Sequence, residues 1–275
     1  MKGIEVSNLS WRAGSHQILK SISFDIEKGS TFSLIGPSGG GKTSLLRCIA
    51  GLIRNYTGFV AVDGAGTDTL PPERRNTVLM RQQGAVFPHL TALENIAFGL
   101  KIRRRSREEI RETTEKFLSM IGLTAKARYY PAELSAGQCQ RIALAMALAV
   151  KPAAILLDEP FSNLDPVTTK DIRGVTAELI SSLGITTVLA THDWEDAFLF
   201  GAKTALLLDG CLYPLDEDGI CENNTALAFL KGLRVIKGTV SDGVFSSPGV
   251  SFPAALEAGE YRALVQEGSV TILSW

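Results

Sequence analysis

The octapeptide GPSGGGKT at residues 36–43 constrains this chain more than any other stretch. It follows the apolar run TFSLI and leads into SLLRCIAGL, a helical pattern. A strand, a glycine-rich loop and a helix in that order make a phosphate-binding unit. Gly36, Pro37, Ser38, Gly39, Gly40 and Gly41 fit a loop whose backbone N–H groups turn inward around phosphate oxygens. The helix N-terminus behind the loop adds its dipole. In the pattern G-x-x-x-x-G-K-[ST], Lys42 reaches the β- and γ-phosphates and the Thr43 hydroxyl holds Mg²⁺. Ser44, next on the helix, belongs to the same nucleotide site. A nucleotide carrying β- and γ-phosphates, with Mg²⁺, is therefore expected here.

A second motif completes the first. In ILLDEP an apolar strand ends at Asp158, which sets a carboxylate beside the phosphate loop where it can hold the metal. Glu159 follows at once, and successive strand residues point to opposite faces, so the two carboxylates need not share a task. One can serve the metal while the other polarises a water for in-line attack. A helix separates AAILLDEP from ITTVLATHD, another buried-strand pattern, so parallel βα units are expected. TALLLDG reads as one more strand, and IEVSNL, SISFDI and residues 59–63 as a β-rich start. The fold class expected is α/β: a P-loop NTPase core with a mixed sheet and flanking helices, an antiparallel β subdomain and a helical subdomain at about 84–150. That domain spans 1–225. Residues 226–275 change to turn signals alternating with VIKGTV, YRALVQ and SVTILSW, a small β segment.

Composition narrows the setting. The chain has 275 residues, 45% of them apolar, a net charge of −1 and a pI of about 6.3, which gives no basis for general binding to nucleic acid or anionic lipid. The basic stretch KIRRRSR at 101–107 reads as a solvated loop and helix start. Cys48, Cys139, Cys211 and Cys221 have neither metal-ligand nor disulfide-framework spacing, as expected of reduced thiols. MKGIEVSNLS lacks the pattern of a signal peptide, and no apolar run is long enough to span a bilayer. Any membrane role is expected to come through a partner.

Four further motifs, in order along the chain, make the sequence resemble the ATP-binding subunit of an ABC transporter over residues 2–225. LSAGQ (134–138) resembles the family signature LSGGQ, and SNLDP (162–166) the loop after the catalytic glutamate. His192 in THD resembles the switch histidine, and Gln82 in RQQGAVFPHLTALENI the glutamine joining the core to the helical subdomain. The resemblance implies that two ATPase subunits pack head to tail, each nucleotide lying between the phosphate loop of one and the signature of the other. Ser135, Gly137 and Gln138 would then serve the opposing subunit's γ-phosphate, and Asp165 would link the two sites. Glu159 and His192 would be catalytic, and Gln82 would touch Mg²⁺ and the attacking water when the site closes. His16 and His89 receive no role.

The resemblance further implies integral membrane permease subunits as partners, docked near residues 87–96, and a solute-binding protein acting indirectly. It places the chain at the cytoplasmic face of the membrane in a dimer, filled by two identical chains, the reading preferred, or by this chain and a paralogue. The near-neutral charge argues against a nucleic-acid partner. The solute class implied is inorganic ions or polyamines. The competing readings are a soluble non-transport ABC ATPase and a regulatory subunit with low turnover. The chain also departs from the family pattern. Ala13 stands where an aromatic usually stacks on adenine, with Trp11 two residues earlier: either Trp11 stacks instead, the reading preferred, or adenine is held weakly. Ala136 replaces the first signature glycine, which requires a negative φ there, with Ser135 exposed at the helix start. Cys139 and Met146 stand where arginines are common. The C-terminal segment resembles part of a TOBE-like regulatory domain.

Overall fold

The computed structural model describes residues 1–81, 86–162, 164–200 and 203–215, and in the C-terminal segment residues 234–241, 244–247, 250–254, 259–266 and 269–273. The chain runs through β1 (Lys2–Ala13), β2 (His16–Glu27), β3 (Thr31–Ile35), α1 (Lys42–Ile49), β4 (Thr57–Val62), β5 (Ala65–Gly66) and β6 (Thr77–Met80). The helical stretch holds α2 (Ala92–Ile102), α3 (Arg107–Met120) and α4 (Ala136–Ala149). Then come β7 (Ala154–Asp158), α5 (Pro166–Leu183), β8 (Thr186–Thr191), α6 (Trp194–Phe200), β9 (Lys203–Leu208) and β10 (Cys211–Leu215).

Two sheets build the nucleotide-binding part. The first is antiparallel, in the order β2-β1-β4-β5. The second has the order β10-β9-β3-β8-β7-β6, parallel from β9 to β6 with β10 antiparallel on its edge. Strand alternation splits the core in two. Leu34, Leu156, Val188 and Leu207 face α1 and the antiparallel sheet. Ile35, Leu157, Leu189 and Leu206 face the helices α4, α5 and α6. Both faces of the second sheet are covered, which is why β7 and β8 are buried along their whole length. The carboxyl ends of β3, β7 and β8 lie side by side, since β8 pairs with both others. Ligands of open α/β sheets gather at that end.

Local residues account for three segments. CLYPL, which the sequence reading does not name as an element, forms the edge strand β10, a position that tolerates Pro214. LSAGQ at 134–138 includes the first turn of α4, which Ser135 caps. The basic segment 101–107 is exposed throughout: it holds the end of α2, a short turn and the start of α3, which Ser106 caps, and Arg105 pairs with Glu109. The C-terminal strands β11 (Arg234–Ser241), β12 (Val244–Ser247), β13 (Val250–Pro253), β14 (Gly259–Gln266) and β15 (Ser269–Leu273) form a third, antiparallel sheet in the order β13-β12-β11-β14-β15.

Candidate active site

The phosphate loop closes on itself. Gly40 N–H donates to the Pro37 carbonyl (3.1 Å), and Lys42 Nζ donates to the carbonyls of Gly36 (2.7 Å) and Pro37 (3.1 Å). Gly41, the N-cap of α1, has φ +102°, a conformation that excludes side chains. The first turn of α1 carries no acidic residue, so its free N–H groups and dipole are left for an anion. Ser38 and Gly39 are exposed at the loop tip, while Gly36 is buried and Pro37, Gly40, Thr43 and Ser44 are half-buried.

Both carboxylates face this loop. Thr43 Oγ1 donates to Asp158 Oδ1 at 3.0 Å. Glu159 Oε1 lies 3.6 Å from Lys42 Nζ, and Glu159 Oε2 lies 3.3 Å from His192 Nδ1. Simple alternation would have sent Glu159 to the opposite face from Asp158. The backbone breaks that rule, because Glu159 has φ +49° and its N–H is anchored on the Ala190 carbonyl at 2.8 Å. A left-handed conformation at a residue with a side chain costs about 1–2 kcal/mol, and Pro160 next in sequence already disfavours the right-handed alternative. The strain re-aims the glutamate into the site.

Burial raises the Asp158 carboxyl above its ordinary range, against the hydrogen bond from Thr43, which lowers it. Burial likewise lowers the Lys42 ammonium, with Glu159 opposing. A buried carboxylate beside a hydroxyl is the oxygen donor set that a small divalent cation takes, and a cation there would relieve the cost of ionising Asp158. The pair therefore fits Mg²⁺.

The signature turn is built differently. Ser135 has φ −69° and ψ 160°, and its hydroxyl accepts from Gln138 N–H (3.3 Å), while Gln138 Oε1 accepts from Ser135 N–H (3.2 Å). This capping box starts α4. Ala136 is helical and absent from the residues of positive φ, so its methyl is accommodated, and Ser135 is exposed. Gly137 packs on α5: a Cβ there would stand 2.5 Å from Thr168 Cγ2. Gln138 also accepts from Lys126 Nζ at 3.1 Å. Asp165 caps α5 by accepting from Thr168 N–H at 3.0 Å, and the bonds from Thr168 hold its carboxyl below the ordinary range.

The remaining sequence-derived residues are placed less centrally. Trp11 sits on β1 opposite Leu19, its indole packed on the core over α1 and its N–H donating to Asn55 Oδ1 at 3.1 Å. Ala13 pairs with His16 at the exposed hairpin end. Gln82 lies outside the described residues. Downstream of it, buried Asn95 staples residues 87–91: its amide donates to the carbonyls of Phe87, Leu90 and Thr91 and accepts from Phe87 N–H. Sequence reasoning missed Asn95 and also missed Arg173, whose guanidinium gathers Asp193, Glu195 and Asp196 beside the His192 loop. Charge spacing did not point to Arg173, whose bonded partners lie 20 and 23 residues away, and nothing local marks Asn95 as buried, although its partners are only four to eight residues back.

Comparison with known proteins identifies the family. Residues 19–162 match the family model described as ABC transporter. The chain is 37% identical over 250 residues to the Fe(3+) ions import ATP-binding protein of Fusobacterium nucleatum, covering 90% of this chain and 67% of that one. It is 38% identical over 241 residues to the sulfate/thiosulfate import ATP-binding protein of Mycobacterium bovis, covering 86% and 69%. It is 42% identical over 207 residues to the spermidine/putrescine import ATP-binding protein of Thermotoga maritima, covering 75% and 56%. A solved dimeric structure of a post-hydrolysis state of an ATP-binding cassette, bound to ADP and Pi, superposes with a TM-score of 0.65 at 34% identity, covering 75% of this chain and 95% of that one. On a P-loop NTPase fold shared with a solved ATP-binding cassette, and with these relatives, this chain belongs to the ABC transporter family as one of its ATP-binding, ATP-hydrolysing subunits.

Proposed function

We propose that this chain powers an importer by pairing head to tail with a second copy of itself, so that ATP held by one phosphate loop is covered by the signature turn of the other. The observation that carries the reading is the split of the site. Lys42, Thr43, Asp158, Glu159 and His192 converge within one chain, whereas Ser135 and the start of α4 face outward. Among the described residues no group of three His, Cys, Asp or Glu side chains is placed to hold a metal by itself. Mg²⁺ would therefore be held by Thr43, Asp158 and the nucleotide's own phosphates, with Gln82 joining from the segment beyond β6. When bound, the ion neutralises charge on the transferring phosphoryl group.

The chain's own residues divide the chemistry. Lys42 leaves the Gly36 and Pro37 carbonyls for the phosphates, which frees Glu159 from its ion pair. Glu159 then orients and deprotonates the attacking water, and His192, 3.3 Å from that carboxylate, contacts the γ-phosphate from the other side. Ser135 and the Gly137 N–H of the second copy complete the stabilisation of developing charge. Asp165, at the start of α5, links the two sites across the pair. The base is assigned to the β1–β2 hairpin, with Trp11 as its aromatic.

Among the described residues no helix is long and apolar enough to cross a membrane, which suits attachment to a permease at the cytoplasmic face. The segment stapled by Asn95, residues 87–96, is the proposed permease contact, and a solute-binding protein would act through that permease. The relatives named for iron, sulfate and polyamines point to an inorganic ion or a polyamine as solute. Residues 1–225 would form the ATPase domain, with 84–150 its helical subdomain and 226–275 a small regulatory β domain. The test is co-purification of the tagged chain from its native membrane. Recovery of integral membrane subunits, with ATPase activity abolished by Glu159→Gln, supports the reading; recovery of ribosomes or DNA alone rules it out.

A further inference from the structure

His192 reaches Glu159 with a side chain that is 54% exposed, so packing alone does not fix it. Its two neighbours in sequence are fixed instead. Thr191 Oγ1 donates to Asp196 Oδ2 (3.2 Å) and accepts from Asp193 N–H (3.0 Å), and Asp193 Oδ1 accepts from Glu195 N–H (2.8 Å). One guanidinium, that of Arg173 on α5, meets all three carboxylates of this turn: Asp193 at 2.9 Å, Glu195 at 3.1 Å and Asp196 at 2.5 Å. Asp196 is buried, and burial with Asp193 alongside pushes its carboxyl up to about 6. Without Arg173 the turn would hold three like charges within a few residues, and repulsion would spread it.

The helix that carries Arg173 also supports the signature turn. Thr168 and Ile172 pack beneath Gly137, and Asp171 pairs with Arg141 of α4. Its N-cap is Asp165. A single helix therefore touches the half-site meant for another subunit's nucleotide and the loop that serves this subunit's own.

We infer that Arg173 is a positioning residue for His192: by clamping Asp193 and Asp196 it holds the imidazole against Glu159 and ties that loop to α5. The inference rests on the role proposed above for His192. It is a guanidinium function, because three separate oxygens are met by one planar fork, which a lysine ammonium reproduces only in part.

The experiment is steady-state ATP hydrolysis by the full-length chain, with its permease, in four variants. Arg173→Met is expected to lower kcat about 10-fold with KM for ATP altered less than about 2-fold, the signature of a misplaced group rather than lost binding. Arg173→Lys is expected to recover part of that loss. In a His192→Ala background, Arg173→Met is expected to lower kcat less than about 2-fold further, because a residue acting through His192 has nothing left to position. Equal loss in both backgrounds, or no loss in either, overturns the inference. If His192→Ala alone leaves kcat unchanged, the catalytic role of His192 falls and this inference falls with it. Should the His192→Ala background be too slow to measure, imidazole NMR decides. Arg173→Met is expected to move the His192 signal and leave His16 and His89 in place; an unmoved His192 signal overturns the inference.

Discussion

The phosphate loop and the signature turn are both glycine-containing starts of helices, yet one is finished within the chain and the other is not. At the first, Lys42 is 4% exposed and already engaged with Gly36, Pro37 and Glu159, and Asp158 is engaged with Thr43. At the second, the Ser135 hydroxyl accepts within its own capping box and stands exposed, and its bonds in that box are to Gln138 alone among the described residues. The first region is preorganised for phosphate chemistry; the second is preorganised only to present a helix start. A helix dipole and a hydroxyl without a nucleophile can stabilise charge but cannot begin a reaction. In the proposed pairing, the reactive machinery belongs to one chain and the closing surface to another.

The largest effect expected from breaking the finished half is at Glu159. Glu159→Gln keeps size and polarity but removes the base, so turnover is expected to fall by roughly 10²–10⁴ while ATP binding persists. Equilibrium binding of a fluorescent ATP analogue beside a phosphate-release assay checks both parts.

Next is the buried support of that half. The Asp196 carboxyl is raised from 3.8 to about 6 in the fold. A carboxyl raised by folding contributes stability that is present below its unfolded value and lost as pH rises through its folded value, here between about pH 4 and 6. The gap amounts to ~3 kcal/mol at ~1.4 kcal/mol per pH unit. Asp196→Asn removes this dependence, so denaturant unfolding should show the variant gaining on wild type between pH 4 and 7 and level elsewhere.

The smallest effect is at the signature turn of an isolated chain. Ser135→Ala loses an N-cap, about 1 kcal/mol of stability. Its larger consequence, on the order of a 10-fold loss in kcat, is expected only where a second copy supplies the nucleotide, so it should grow with protein concentration toward saturation of the dimer.

Much of this was legible from residues alone. GPSGGGKT and ILLDEP carry their chemistry in contiguous residues, because a phosphate loop is local backbone geometry and a buried strand is a local apolar run. The negative φ at Ala136 was likewise readable, since it depends on one residue's own sterics. The orientation of Glu159 was not readable from strand alternation, because it turns on a left-handed backbone anchored by Ala190, a residue on another strand. Arg173 is hidden for the same reason, since topology brings it the carboxylates of the turn after β8; Asn95 bonds only the segment just before it, and what hides it is its burial, which packing sets. Trp11 adds another such case: its indole N–H bond to Asn55, 44 residues away, and the contact of its partly buried ring with the core are set by the fold and not by neighbouring residues.

The central claim, that the signature turn of one copy completes the phosphate site of another, is tested most directly by mixing two inactive variants. Lys42→Ala spoils the phosphate loop and leaves the signature intact; Ser135→Arg does the reverse. Each alone is expected to be inactive, and a mixture in which subunits exchange should recover up to roughly a quarter of the wild-type rate, since half the pairs formed at random are mixed and each holds one whole site. A mixture as inactive as its components would contradict the account.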